Sequence, residues 1–183
     1  MKKILITGGC GYLGARLSKY FAQKGHLVTI FDSYNPSKHK EWIELMEDVV
    51  VGDIRDEETI IALAKKSFDV IIHLVSLDHI HSDQNPNIVS SINVMPTWNI
   101  LDKFSKTSLE KFIYFSTFQV YGLVENTTIS EDYLLTPKNM YGMTHLLSEN
   151  ICNYFNDNTD VNCINIRLSN SYGSPVFSEN NCW

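Results

Sequence analysis

The first 32 residues restrict the fold more than any other stretch of the chain. Lys3-Ile4-Leu5-Ile6 is a short apolar run with β-branched members, the pattern of a buried strand. Thr7-Gly8-Gly9-Cys10-Gly11-Tyr12-Leu13-Gly14 follows without a gap. Ala15 to Lys24 has helical spacing, with Leu13, Leu17, Tyr20 and Phe21 on one face. Gly25 punctuates, and His26 to Phe31 reads as a second strand ending on Asp32. The unit is strand, glycine turn, helix, strand, acid.

Each part of that unit has a physical job. A turn this tight needs backbone angles that side chains forbid. A Cβ at its middle glycine would hold a pyrophosphate away from the backbone, and Gly14 is expected to let the helix pack close to the strand. The first amides of a helix starting near Gly11, those of Tyr12 and Leu13 among them, then face the phosphates with the helix dipole behind them. Gly9, Gly11 and Gly14 fit G-x-G-x-x-G, and Gly8, Gly11 and Gly14 fit G-x-x-G-x-x-G. An acid roughly 20 residues further on, at the end of the next strand, completes a dinucleotide-binding pattern. Asp32 is placed to accept from both adenosine-ribose hydroxyls and to repel a 2′-phosphate. Ser33, Tyr34 and Asn35 put no Arg beside it, so NAD is expected over NADP.

Composition narrows the class. The 183 residues suffice for one domain with a core, and a net charge of −6 advertises no nucleic-acid surface. Met1-Lys2-Lys3 before Ile4-Leu5-Ile6 hints at a leader, but the apolar run breaks at Thr7-Gly8-Gly9. No stretch is long enough to span a membrane. Cysteines 10, 152, 163 and 182 have no C-x-x-C spacing and read as reduced thiols of a cytoplasmic protein.

Further elements follow in alternation. Pro36 to Lys40 reads as a polar loop, Glu41 to Glu47 as a short helix and Asp48 to Asp53 as a third strand. Asp53 and Ile54, at its end, are expected beside an adenine. Glu57 to Lys66 is a helix, and Phe68 to Ser76 is a strand apolar enough to be buried on both faces. Leu77 to Asn87 reads as a polar loop, and Ile88 to Ser105 as a long helix that Pro96 should kink or break. Glu110 to Thr117 is a fifth strand, Gly122 to Pro137 is irregular, Tyr141 to Phe155 is a helix and Val161 to Leu168 a sixth strand. Strands alternating with helices predict an α/β fold, a doubly wound parallel sheet with ligands beyond its carboxyl edge.

Three segments should converge on that edge: Ser116 to Gly122, Tyr141 to His145, and Asn170 to Gly173. With them, the sequence resembles the extended short-chain dehydrogenase/reductase family, in its NAD-dependent epimerase/dehydratase group. Thr7 to Gly14 is similar to its cofactor turn T-G-G-x-G-Y-L-G, and Gly52 to Asp56 to its adenine-side motif. His73-Leu74-Val75-Ser76 resembles H-L-A-A, and Asn93 with Thr97 resembles N-x-x-G-T, with Pro96 in place of glycine. Ser116 to Gly122 is similar to S-S/T-x-x-V-Y-G, and Arg167 to Gly173 to R-x-x-N-x-Y-G. The resemblance implies a Rossmann-type domain over residues 1–183 that binds NAD, with the smaller substrate domain truncated or missing after about residue 173. It implies a cytoplasmic epimerase or reductase acting on a nucleotide sugar for surface-polysaccharide synthesis, with neither nucleic acid nor membrane as partner. Tyr141 would be the acid/base and Thr117 its hydrogen-bonding companion. Asn170 and Ser116 would face substrate, and Leu74, Ser76 and Asn93 would belong to the cofactor site. The helices around Ile88–Ser105 and Tyr141–Phe155 would pair a homodimer.

Departures from the family pattern stand at chemical positions. His145 takes the place of the lysine of Y-x-x-x-K, on the same helix face as Tyr141. The lysine lowers the tyrosine pKa with a permanent charge, whereas an imidazole titrating near ~6.5 is mostly neutral at pH 7. A catalytically impaired NAD-binding subunit is therefore the alternative reading. Phe118 and Gln119 stand where related dehydratases carry Asp and Glu, which weakens a dehydratase reading. Asp78 to Asp83 holds an H-x-H with flanking carboxylates, but its place matches a substrate-side loop, and no metal ligand is assigned. His73, ending a buried strand, reads as structural.

Overall fold

The computed structural model describes residues 1–34, 40–125 and 128–169. Its strands are β1 (Lys3–Thr7), β2 (Leu27–Asp32), β3 (Asp48–Val51), β4 (Val70–His73), β5 (Lys111–Thr117) and β6 (Asn162–Leu168). They form one sheet in the order β3-β2-β1-β4-β5-β6, every neighbouring pair parallel. This is the doubly wound arrangement that the alternation of elements predicts. Strand order reverses between β1 and β4, which opens a crevice at the carboxyl edge there.

Alternate side chains feed two cores, one on each face of the sheet. Ile4, Ile6, Val28 and Ile72 pack with Leu17 and Phe21 of helix α1 (Tyr12–Gln23). Leu5, Phe31, Ile71 and Phe112 pack on the other face with Ile60, Ile100 and Phe104. Those last three come from α3 (Glu57–Ala64) and α6 (Met95–Phe104). Burial on both faces is why the strands read as continuous apolar runs rather than as alternation.

Several expected boundaries move. The short helix α2 (Lys40–Ile43) ends before Glu47, because Leu45 and Met46 bond back to Trp42 and Ile43 in tight turns. Segment 77–87 is not a loop but holds α4 (His79–Gln84) and α5 (Pro86–Val89). The Asp78 carboxylate accepts from the Ile80 and His81 amides, and the Asn85 side chain accepts from Ile88 N–H with Pro86 in the first turn. These are helix-start signals that the segment's polarity masks. The long helix expected over 88–105 is interrupted, as Pro96 demands. A π-helical turn over Ser90–Val94 separates α5 from α6, and Pro96 sits in the first turn of α6, where its missing N–H costs no bond. Strands β3 and β4 stop short of Asp53 and Ser76, and those residues peel off the sheet to line the crevice. Helix α7 (Met140–Asn158) closes the fold against β5 and β6.

Candidate functional site

The glycine turn is built as tightly as its spacing suggests. Gly8 has φ +73°, a conformation that L side chains resist, and its N–H donates to the Phe31 carbonyl at 2.8 Å. A Cβ on Gly14 would strike the Gly8 carbonyl oxygen and come within 2.6 Å of Gly9 Cα. Gly14 thus seats α1 on the turn itself, a correction to the strand contact expected from the motif. Gly11 stands at the N-cap of α1 and brings no side chain to the helix start, so the backbone there can be approached closely.

A cavity of about 410 Å³ opens beside this turn. Gly8, Gly11, Asp32, Asp53, Ile54, Leu74 and Ser76 line it, whereas Tyr12, Leu13 and Gly14 do not form its wall. Gly52, Arg55 and Val75 also line it, from motifs that the sequence analysis quotes without assigning them to the site, and sequence reasoning missed Phe31, Ser33, Leu77 and Ile92. Most of these are chain neighbours of the named residues. Ile92 comes from the π-helical turn and carries no signal of its own.

Asp32 is fixed in this cavity by two amides. Cys10 N–H donates to one carboxylate oxygen and Tyr34 N–H to the other, both at 2.9 Å. Among the described residues each oxygen keeps a further acceptor position, which suits a pair of ribose hydroxyls. Across the cavity Asp53 pairs with Arg55, whose Nε donates at 2.9 Å. That hydrogen bonding holds the Asp53 carboxyl down at about 2. The glycine cradle at the start of α1 and the Asp32 carboxylate together fit the pyrophosphate and adenosine of NAD.

The other half of the site lies at the ends of β5 and α7. Thr117 ends β5, and its Oγ1 accepts from Gln119 N–H at 3.2 Å to start a 3₁₀ turn over Phe118–Tyr121. Asn139 caps α7 by accepting from Gly142 N–H at 2.8 Å, and its amide donates to Gln119 Oε1 at 2.7 Å. A Cβ on Gly142 would lie 2.6 Å from the Gln119 carbonyl. The first turn of α7, with Tyr141, is therefore clamped to the turn that follows Thr117. Tyr141 packs edge-to-face on His145, ring centroids 4.5 Å apart.

His145 is 2% exposed, and burial pushes its pKa down to about 4. Its Nδ1 lies 2.7 Å from the Tyr114 hydroxyl, and its Nε2 has no partner among the described residues. The imidazole is neutral at pH 7, as its residue type predicts, and supplies no fixed charge beside Tyr141. His73 is fully buried, bonded to Thr7 Oγ1 at 2.6 Å and held down to about 3 by burial, in keeping with a structural role.

Two expected ligand contacts are committed elsewhere. The Ser116 hydroxyl donates to Glu149, which Arg167 clamps through Nε and, at 2.8 Å, through Nη2. Arg167 also donates to the Tyr121 hydroxyl at 2.9 Å and to the Glu131 carbonyl at 2.7 Å. Asn93 accepts from Leu77 N–H at 2.7 Å and donates to Thr144 Oγ1 at 3.2 Å, so it braces the cavity wall from behind. Glu149 escaped sequence reasoning; its signal was a carboxylate on the helix face of Tyr141 and His145. Asn170 lies outside the described residues. Among the described residues, no cluster of three metal-type side chains occurs, and Asp78 and His81 bond to each other. None of the described helices is long and apolar enough to cross a membrane.

Residues 4–181 match the NAD dependent epimerase/dehydratase family. A bifunctional UDP-glucose 4-epimerase and UDP-xylose 4-epimerase from Pisum sativum is 31% identical over 163 residues, 82% of this chain and 46% of the relative. The UDP-Glc/GlcNAc 4-epimerase of Campylobacter jejuni superimposes with a TM-score of 0.83 at 26% identity, over 90% of this chain and 53% of that one. The UDP-glucuronic acid 4-epimerase of Bacillus cereus, in complex with NAD, gives 0.83 at 26% identity, over 93% and 57%. The chain spans about half the length of the curated relatives it matches.

Proposed function

The chain belongs to the NAD-dependent epimerase/dehydratase family, and from that premise we propose that it binds NAD and serves an epimerase or reductase acting on a nucleotide sugar. The observation that carries this reading is the cavity of about 410 Å³ at the strand-order reversal, where Asp32 faces the glycine turn. The Gly8–Gly14 turn and the α1 amides would hold the pyrophosphate, Asp32 the adenosine ribose, and Asp53 with Ile54 the adenine side. Bound there, NAD supplies the hydride acceptor and donor for a sugar hydroxyl and its carbonyl. Tyr141 exchanges the hydroxyl proton through its phenolic oxygen, and Thr117 Oγ1 hydrogen-bonds the same hydroxyl and orients it. Ser116 and Asn93 act through others: Ser116 ties β5 to Glu149, and Asn93 holds the Leu77 backbone. Asn170 remains assigned to the substrate phosphates by resemblance alone.

The test is turnover with NAD across a panel of UDP- and dTDP-sugars, repeated with Tyr141→Phe. Epimer or reduced sugar formed by the parent and lost in the variant supports the reading; no product from any sugar sinks it. A second reading is an NAD-binding subunit without turnover, favoured by the neutral, enclosed His145. His145→Lys discriminates, since a gain of activity from an inactive parent marks a site lacking only its charge.

The assembly proposed is a homodimer through α6 and α7. Met95 and Trp98 on α6, and Met143, Leu147 and Tyr154 on α7, are exposed, and Trp98 stacks on Tyr154 at 5.6 Å. The two helices thereby share one apolar face. A monomer by light scattering at micromolar concentration would refute it.

A further inference from the structure

Helix α7 brings a histidine where the family's motif has lysine, and the structure gives that histidine a partner the motif does not contain. Tyr114, on β5, is among the largest fully buried side chains, and its hydroxyl lies 2.7 Å from His145 Nδ1. The two rings pack with centroids 5.7 Å apart, and His73 covers Tyr114 at 5.9 Å from the β4 side. Ser148, whose hydroxyl donates to the Asn93 carbonyl at 2.8 Å, also stands beside the Tyr114 hydroxyl, and the Glu149 carboxylate is close enough to oppose ionisation of the phenol.

The direction of this hydrogen bond decides what the imidazole can do. A phenol O–H is a much stronger acid than a neutral imidazole N–H, and an unprotonated ring nitrogen is the stronger acceptor. The separation of 2.7 Å is also typical of an O–H donor, whereas N–H donors to oxygen cluster nearer ~2.9–3.0 Å. Burial raises the Tyr114 pKa and lowers that of His145, so both stay neutral at pH 7. Tyr114 therefore donates, Nδ1 accepts, and the imidazole proton resides on Nε2. That atom is buried without a described partner, a condition that native structures seldom leave unexplained.

We propose that Tyr114 is a positioning residue that fixes His145 in its Nε2–H tautomer, giving the site a neutral N–H donor beside Tyr141 in place of a cation. The proposal rests on the NAD-binding reading above only for what Nε2–H meets; the tautomer itself does not depend on it. The donor is matched to a hydroxyl oxygen, as of a cofactor ribose, and not to stabilising a tyrosinate by charge.

The tautomer can be read directly in the full chain labelled with ¹⁵N-histidine. Long-range ¹H–¹⁵N correlation separates a protonated ring nitrogen from an unprotonated one, and His145→Gln assigns the signals. The expected result at pH 7 is a protonated Nε2 and an unprotonated Nδ1, with the Nε2 resonance moving when NADH is added. In Tyr114→Phe the expected change is collapse of that separation toward a tautomer average, with weaker NADH binding. A protonated Nδ1 in the unmutated chain overturns the proposal, as does an Nε2 resonance that ignores saturating NADH. The first readout needs neither turnover nor the variant, so loss of folding in Tyr114→Phe, or an inactive enzyme, leaves the decision with the unmutated chain.

Discussion

The two halves of the candidate site are made of different materials. On the β1–β4 side, glycines and the carboxylates of Asp32 and Asp53 share the wall with apolar side chains such as Phe31, Ile54 and Leu74, and they line an open cavity. On the β5–α7 side, the polar groups are buried and bonded to one another: Ser116 to Glu149, Glu149 to Arg167, Asn93 to Thr144, Tyr114 to His145. A backbone cradle holds its shape whatever the neighbouring side chains are. A buried side-chain network is different, because removing one member strands another without water to replace it. One half is thus robust and generic, and the other is particular to this chain.

The largest expected effect comes from breaking the buried network. Glu149→Gln leaves the Arg167 guanidinium without its counter-charge and should cost about 3–5 kcal/mol in unfolding free energy by urea titration. The fraction still folded should bind NADH unchanged, since neither Glu149 nor Arg167 lines the cavity. Equal loss of cofactor binding would show that the halves are not separable.

Protons probe the same half. His145 and His73 titrate at about 4 and about 3 when folded, below the ~6.5 of an unfolded imidazole. Between those values the unfolded chain binds more protons, so stability held above pH ~6.5 is lost as pH falls toward 4 and then 3. For His145 the loss is on the order of 3 kcal/mol. Urea midpoints across pH 7 to 4 should fall steeply in the parent and less steeply in His145→Gln; parallel slopes would contradict the assignment.

On the cofactor side, Gly14→Ala drives a methyl into the Gly8 carbonyl. It should cost about 1–3 kcal/mol and weaken NADH binding while leaving the His145 resonances in place. The smallest expected effect is one of selectivity. Asp32→Asn removes the charge that repels a 2′-phosphate and should raise NADPH affinity relative to NADH by about tenfold, or about 1.4 kcal/mol.

The same contrast governs what the sequence discloses. Gly8, Gly11, Gly14 and Asp32 are legible because a backbone geometry admits few residue types and fixes their spacing. The parallel, doubly wound character of the sheet followed from alternation of apolar runs and helices, whereas its strand order came from the structure. Segment 77–87 was misread because its caps, Asp78 and Asn85, look like loop residues until the amides they accept from are in place. Ser116 and Asn93 were placed in the site by their motifs, yet their partners Glu149 and Thr144 lie 33 and 51 residues away. Tyr114 had no signal at all, since a tyrosine in an apolar strand reads as core until the residue opposite is known.

The most direct test of the account is a parallel titration of this chain with NADH and NADPH, followed by nicotinamide fluorescence. The account predicts saturable binding of NADH and rejection of NADPH, with Asp32→Asn narrowing the difference. Equal binding of the two, or binding of neither, would contradict it.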